Sequence, residues 1–117
     1  MRRLYETNKF QGKNKALTFS YDDGVTQDIR LIELFNKYGM KATFNLNSGR
    51  FGHNGELVRD GVPVSHKTHK AEDIKYIYEG HEVAAHTLTH PNLKNIEDAN
   101  EIIRQVERDR INLSIVF

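Results

Sequence analysis

The chain has no cysteine and no tryptophan, and only two prolines in 117 residues. Without cysteine there is no disulfide and no thiolate ligand, so any metal ion must be held by histidine and carboxylate. An excess of one charge is missing as well. Lys and Arg number 17 against 16 Asp and Glu, a net charge of +1 that creates no field toward nucleic acid or an anionic membrane. No apolar run approaches the ~20 residues of a membrane-spanning helix. The N-terminus, Met1-Arg2-Arg3, carries the charge of a signal peptide but no apolar stretch behind it, which predicts a cytoplasmic chain. The Lys-Ser/Thr ending of a phosphate-binding loop and a serine nucleophile elbow are both absent.

What is present is an alternation of strand and helix patterns. Residues 16–21 form a β-rich run that Asp22-Asp23-Gly24 stops. Leu31, Leu34, Phe35 and Tyr38 then fall on one helical face, with Thr26 or Asp28 as a cap and Gly39 placed for a left-handed exit. Residues 42–46 read as a second strand, and residues 47–63 as a long glycine-rich surface loop of the kind that often carries function. A short helix over 72–79 points Ile74, Ile77 and Tyr78 inward and closes at Gly80; residues 81–86 make a third strand. The longest helix, about 96–109, shows Ile96, Ala99, Ile103 and Val106 on one face, after a capping arrangement of Asn95 and Asp98. The tail, 111–117, is apolar. This order implies an α/β domain with a parallel sheet built from βαβ units. Three strands make a thin sheet, so residues 1–117 read as one domain, and an incomplete one.

Both chemical motifs fall at the C-terminal ends of predicted strands, the edge where such folds assemble active sites. Asp22 and Asp23, being adjacent, point in different directions, so one can coordinate a metal while the other accepts a proton. Their mutual repulsion is offset by a bound cation. The plain alternative is that Asp-Asp-Gly is a turn or a helix cap. His86 and His90 stand one turn apart, able to converge on one ion, with Pro91 locking the chain behind them. Thr87 and Thr89 offer hydroxyls to orient the rings. The other histidines read differently: His81 as a structural hydrogen-bonding residue, His66 and His69 as solvated, and His53 as a loop residue that touches substrate or nothing. Lys67, Lys70 and Lys75 read as a solvated face.

The run Thr18-Phe19-Ser20-Tyr21-Asp22-Asp23-Gly24 resembles the first motif of the polysaccharide deacetylases, and His86-Thr87-Leu88-Thr89-His90-Pro91 resembles their second. The approach Gly80-His81-Glu82-Val83 is also similar, and the resemblance runs over about residues 16–105. It implies about the first half of a distorted (β/α) barrel of the TIM-barrel-like kind, with a divalent ion, commonly zinc. By motif position, Asp23, His86 and His90 would bind the metal and Asp22 would be the general base. The implied activity is hydrolytic removal of acetyl groups from an N- or O-acetylated carbohydrate, chiefly at carbon–nitrogen amide bonds. Later motifs of the family, an Arg, a Pro-Tyr/Trp segment and a Leu-x-His, do not occur before Phe117. The alternative is therefore a truncated fragment, or a remnant that binds metal or carbohydrate without turnover. A second copy of the chain is a further expected partner, covering the open sheet edge.

Overall fold

The computed structural model describes residues 9–117; the N-terminal Met1-Arg2-Arg3, on which the localisation expectation rests, lies outside the described residues. In chain order the elements are β1 (Ser20–Asp22), α1 (Asp28–Lys37), β2 (Thr43–Leu46), β3 (Asn54–Arg59), β4 (Val62–Lys67), α2 (Ala71–Ile77), β5 (Glu82–Ala85) and α3 (Ala99–Val116). The first, second and fifth strands form a parallel sheet in the order β1-β2-β5, with Tyr21 opposite Phe44 and Phe44 opposite Val83. The expected α/β architecture with a parallel sheet is therefore present.

The central strand is the most deeply buried. Phe44 and Leu46 have no exposed surface, nor do Ile74 and Tyr78 on and beside α2, and Ile32, Phe35 and Leu113 complete the core from the other helices. Aromatic rings set the spacing between layers: Phe19 meets Phe35 edge-on at 5.0 Å, and Phe44 lies 5.0 Å from Tyr78. Each such ring contributes on the order of 2–3 kcal/mol by burial alone. No helix among the described residues is long and apolar enough to cross a membrane.

Five expectations need correction. Residues 54–63 of the expected loop 47–63 belong instead to an antiparallel hairpin, β3 with β4, turned at Asp60 and Gly61, which both have positive φ (51° and 77°). That is the backbone a two-residue Asp-Gly turn favours, because its twist matches the strands on either side. On α1 the buried stripe is Asp28, Ile32 and Phe35, whereas Leu34 and Tyr38 are 48% and 65% exposed. Asp28 is drawn inward by a 2.6 Å hydrogen bond from the Tyr78 hydroxyl, and this rotates the face. The N-cap is then Gln27, with neither Thr26 nor Asp28 in that role.

The last helix starts later and runs further than expected. Asp98 caps it by accepting from the Asn100 amide, it continues through the apolar tail, and Ile96 precedes it. Its inward face is Gln105, Asp109 and Leu113 at i, i+4 and i+8; Ile103 and Val106 face out. Finally, β1 is shorter than residues 16–21, with Leu17 79% exposed and Asp22 as its last residue. Gly39 and Gly80 do take the left-handed exits expected of them.

Candidate metal centre

The ladder of the parallel sheet continues past the strand ends and carries the site. Asp23 N donates to Asn45 O at 2.9 Å, and His86 N donates to Leu46 O at 3.0 Å, so both motifs leave the same edge in register. Just there the backbone turns left-handed at three non-glycine residues, Asp23 (φ 79°), Thr87 (φ 70°) and His90 (φ 60°). Such conformations cost about 1–3 kcal/mol each and persist only where the surroundings fix them. Next to Asp23, Gly24 also has a positive φ, and a Cβ there would come within 3.0 Å of Leu46 Cδ2.

What fixes the loop 86–90 is a set of buried polar side chains. Asn47, 1% exposed, donates its amide to the carbonyls of His86 and Thr87. Asp109, fully buried, accepts from His86 N at 2.9 Å and from Ser48 N at 2.6 Å. Gln105 accepts from Thr89 N and donates to the Thr89 hydroxyl, so that hydroxyl serves the loop and not a ring. The backbone adds Gly49 N to Leu88 O at 2.8 Å; a Cβ on Gly49 would meet that oxygen at 2.5 Å.

The result brings Asp23, His86 and His90 together, with one ligand-type atom from each within 4.8 Å of the others. Asp23 Oδ1 lies 3.6 Å from His86 Nε2 and 3.5 Å from His90 Nε2. Those are not hydrogen bonds. They match the edge of a tetrahedron about 3.4 Å long, which ligands ~2.1 Å from a central ion must form. Asp23 Oδ1 and His86 Nε2 are moreover buried and have no hydrogen-bond partner, a condition that buried polar atoms rarely tolerate without an ion or water between them. The donor set, one carboxylate and two imidazoles, suits a borderline divalent ion such as zinc and leaves room for further ligands.

Asp22 stands to one side. Its side chain is 57% exposed, Oδ1 accepts from Asn45 Nδ2 at 2.9 Å, and Oδ2 is 4.0 Å from His86 Nε2. The two adjacent carboxylates thus diverge as the sequence suggested, one into the cluster and one toward solvent.

The chain belongs to the polysaccharide deacetylase family. The family model for polysaccharide deacetylase matches residues 9–116, nearly all of the sequence. Neither the curated proteins nor the solved structures compared with it gave a match. Membership in this family supports a hydrolase of the carbohydrate esterase kind and a deacetylase function, and the family is generally metal-dependent.

The remaining histidines divide. His81 does what was expected, accepting from Ala42 N and pairing with Asn36 Oδ1. His66 and His69, expected in solvent, are not there. His66 Nε2 sits 3.0 Å from Asp23 Oδ2, and His69 is 6% exposed against Tyr78, with its basicity lowered by burial. Sequence reasoning misplaced both because it missed the hairpin, although Asp60-Gly61 between valines was a legible signal. His53 is exposed at the base of β3, and Lys67, Lys70 and Lys75 are exposed as expected.

Proposed function

We propose that the chain carries the ion site of a metal-dependent deacetylase acting on an N- or O-acetylated carbohydrate, within a domain of the barrel type its family implies. Asp23, His86 and His90 hold a divalent ion, zinc by the chemistry of the donors, and Asp22 is the general base. The observation that carries this reading is the pair of buried, unpartnered atoms, Asp23 Oδ1 and His86 Nε2, facing His90 Nε2 at tetrahedral spacing.

When bound, such an ion polarises the acetyl carbonyl and makes a water molecule acidic near neutral pH. Asp22 then removes the proton from the attacking water. Its divergence from Asp23 and its exposure leave it free to meet that water, and the bond from Asn45 Nδ2 to Oδ1 orients its second oxygen. Asp23, 27% exposed, stays shielded for coordination. The strained turn at His90 brings its Nε2 to 3.5 Å from the Asp23 carboxylate while the ring stays half-exposed.

The test is acetate release from N-acetylglucosamine oligomers, with zinc and with chelator, beside a direct ion titration. Chelator-sensitive release together with one equivalent of ion supports the enzyme. Binding without release favours the remnant that holds an ion or a sugar without turnover. Asp23→Ala is expected to lose the ion, and a full equivalent retained by that variant removes Asp23 from the ligand set.

A further inference from the structure

The Asp23 carboxylate is divided between two sets of neighbours. Its Oδ1 faces His86 and His90 and has no hydrogen-bond partner, while its Oδ2 is 3.0 Å from His66 Nε2. An ionised carboxylate only accepts, so the proton in this bond sits on His66 Nε2. A carboxylate held in this way by one oxygen offers the other to an ion in a fixed direction and is kept from chelating through both.

The placement of His66 is built into the fold. It lies on β4 opposite Gly55, where a Cβ would come within 2.6 Å of the His66 carbonyl, so the partner strand can approach closely only as glycine. On both sides of His66 the chain is laced to the segment that follows Asp23. Thr26 N donates to Lys67 O at 2.9 Å, His69 N to Gly24 O at 3.1 Å, and Gln27 Nε2 to Ser65 O at 2.7 Å. Val25 and Thr68 form an isolated bridge between the same segments. The hairpin end and the acidic turn therefore move as one piece. The His66 side chain, only 15% exposed, is confined against the carboxylate.

We propose that His66 is a positioning residue of this site: its Nε2–H holds Asp23 Oδ2 and leaves Oδ1 as the one oxygen presented to an ion. The assignment rests on the metal reading above and adds to it a residue from the hairpin, outside both sequence motifs. Its role is exerted through Asp23 and not by coordination. The cluster of ligand atoms within 4.8 Å of one another contains Asp23, His86 and His90.

The experiment compares wild type, His66→Phe and His66→Gln by competition titration with zinc and by the visible spectrum of the cobalt-substituted protein. Phenylalanine keeps the ring and removes the donor; glutamine restores an N–H at about the reach of Nε2. The expected result is a 10–100-fold weaker zinc affinity in His66→Phe, the range found when an outer partner of a ligand is removed, with recovery in His66→Gln. The cobalt spectrum should lose intensity in His66→Phe as a freed carboxylate adds its second oxygen, and regain it in His66→Gln. Equal affinity in wild type and His66→Phe, within twofold, overturns the assignment. So does equal loss in both variants with cooperative unfolding intact, because the imidazole would then be acting as a ligand. A wild type that takes up no ion sinks the metal reading itself, and this assignment with it, a result distinct from either of those two.

Discussion

Asp109→Ala probes the support of the site without replacing any of its proposed ligands. The carboxylate is fully buried and accepts two backbone amides, Ser48 N at 2.6 Å and His86 N at 2.9 Å. The two losses are unequal. His86 N keeps a second acceptor, Leu46 O at 3.0 Å, so its share is small. Ser48 N, in a part-buried setting, loses this acceptor, at a cost of about 1–3 kcal/mol if water does not replace it. Removing a buried carboxyl group returns part of that, since its own desolvation is relieved. The net expectation is a loss of about 1–2 kcal/mol, a noticeable share of the roughly 5–15 kcal/mol by which domains are stable. Asp109→Asn should not rescue it, because its amide has one acceptor for two donors and turns its own N–H groups toward the other. Urea denaturation of the ion-free protein reads the stability, and competition titration reads the zinc affinity, expected to fall about 10–100-fold as the loop 86–90 loosens. An Asp109→Ala variant within about 0.5 kcal/mol of wild type, the ordinary range for an inconsequential substitution, would refute the argument that this carboxylate pins the loop.

Gly49→Ala drives a Cβ to 2.5 Å from Leu88 O, so the loop must shift. The prediction is destabilisation of about 1–3 kcal/mol with weaker ion binding, and an unperturbed denaturation midpoint would count against the close approach. Asp22→Asn should bind one equivalent of zinc with near wild-type affinity and lose turnover; unchanged kcat would take Asp22 out of the base role. Burial pushes the Asp28 carboxyl up to about 6, with the Tyr78 hydroxyl bond lowering it and the charge of Asp23 raising it. Its folded pKa is thus above the unfolded value, so its contribution is full below about pH 4 and is lost as pH rises through about 6. A rise of ~2 units corresponds to about 3 kcal/mol. Relative to Asp28→Asn, which can still accept from Tyr78, wild type in the ion-free state should lose about that much between pH 4 and 7. Parallel stability profiles for the two proteins would contradict this.

The parallel sheet and the paired motifs were legible because their signals are local. A β-rich run ended by Asp22-Asp23-Gly24 and a strand running into His86 declare both the element and its end. The faces of α1 and α3 were not legible, because amphipathicity assumes that a helix buries its most apolar stripe. Here α3 buries Gln105 and Asp109 and leaves Ile103 58% exposed, since the helix lies over a loop whose amides need acceptors. That demand is created by residues 16–23 positions away in the sequence, and no periodicity in the helix reports it. The hairpin is a different matter. Its Asp60-Gly61 turn was readable, and overlooking it put His66 in solvent when it lies against Asp23.

The arrangement links ion binding to folding through particular atoms. Asp23, Thr87 and His90 hold left-handed backbone at a cost of about 1–3 kcal/mol each, and two of the three are proposed ligands. Their restraints come from elsewhere in the chain: Asn45 and the hairpin for Asp23, Asn47 for Thr87, and α3 through Gln105 and Asp109 for the loop between the histidines. None of these contacts exists until sheet, hairpin and last helix have come together, so the unfolded chain presents no comparable site. An ion at a hundred times its Kd would then add about 2.7 kcal/mol to stability by mass action. That is the same order as the strain at one or two of these residues. The strained backbone, the unpartnered atoms Asp23 Oδ1 and His86 Nε2, and the proposed ion therefore belong to one balance, in which the fold sets the donors in place and the ion satisfies them.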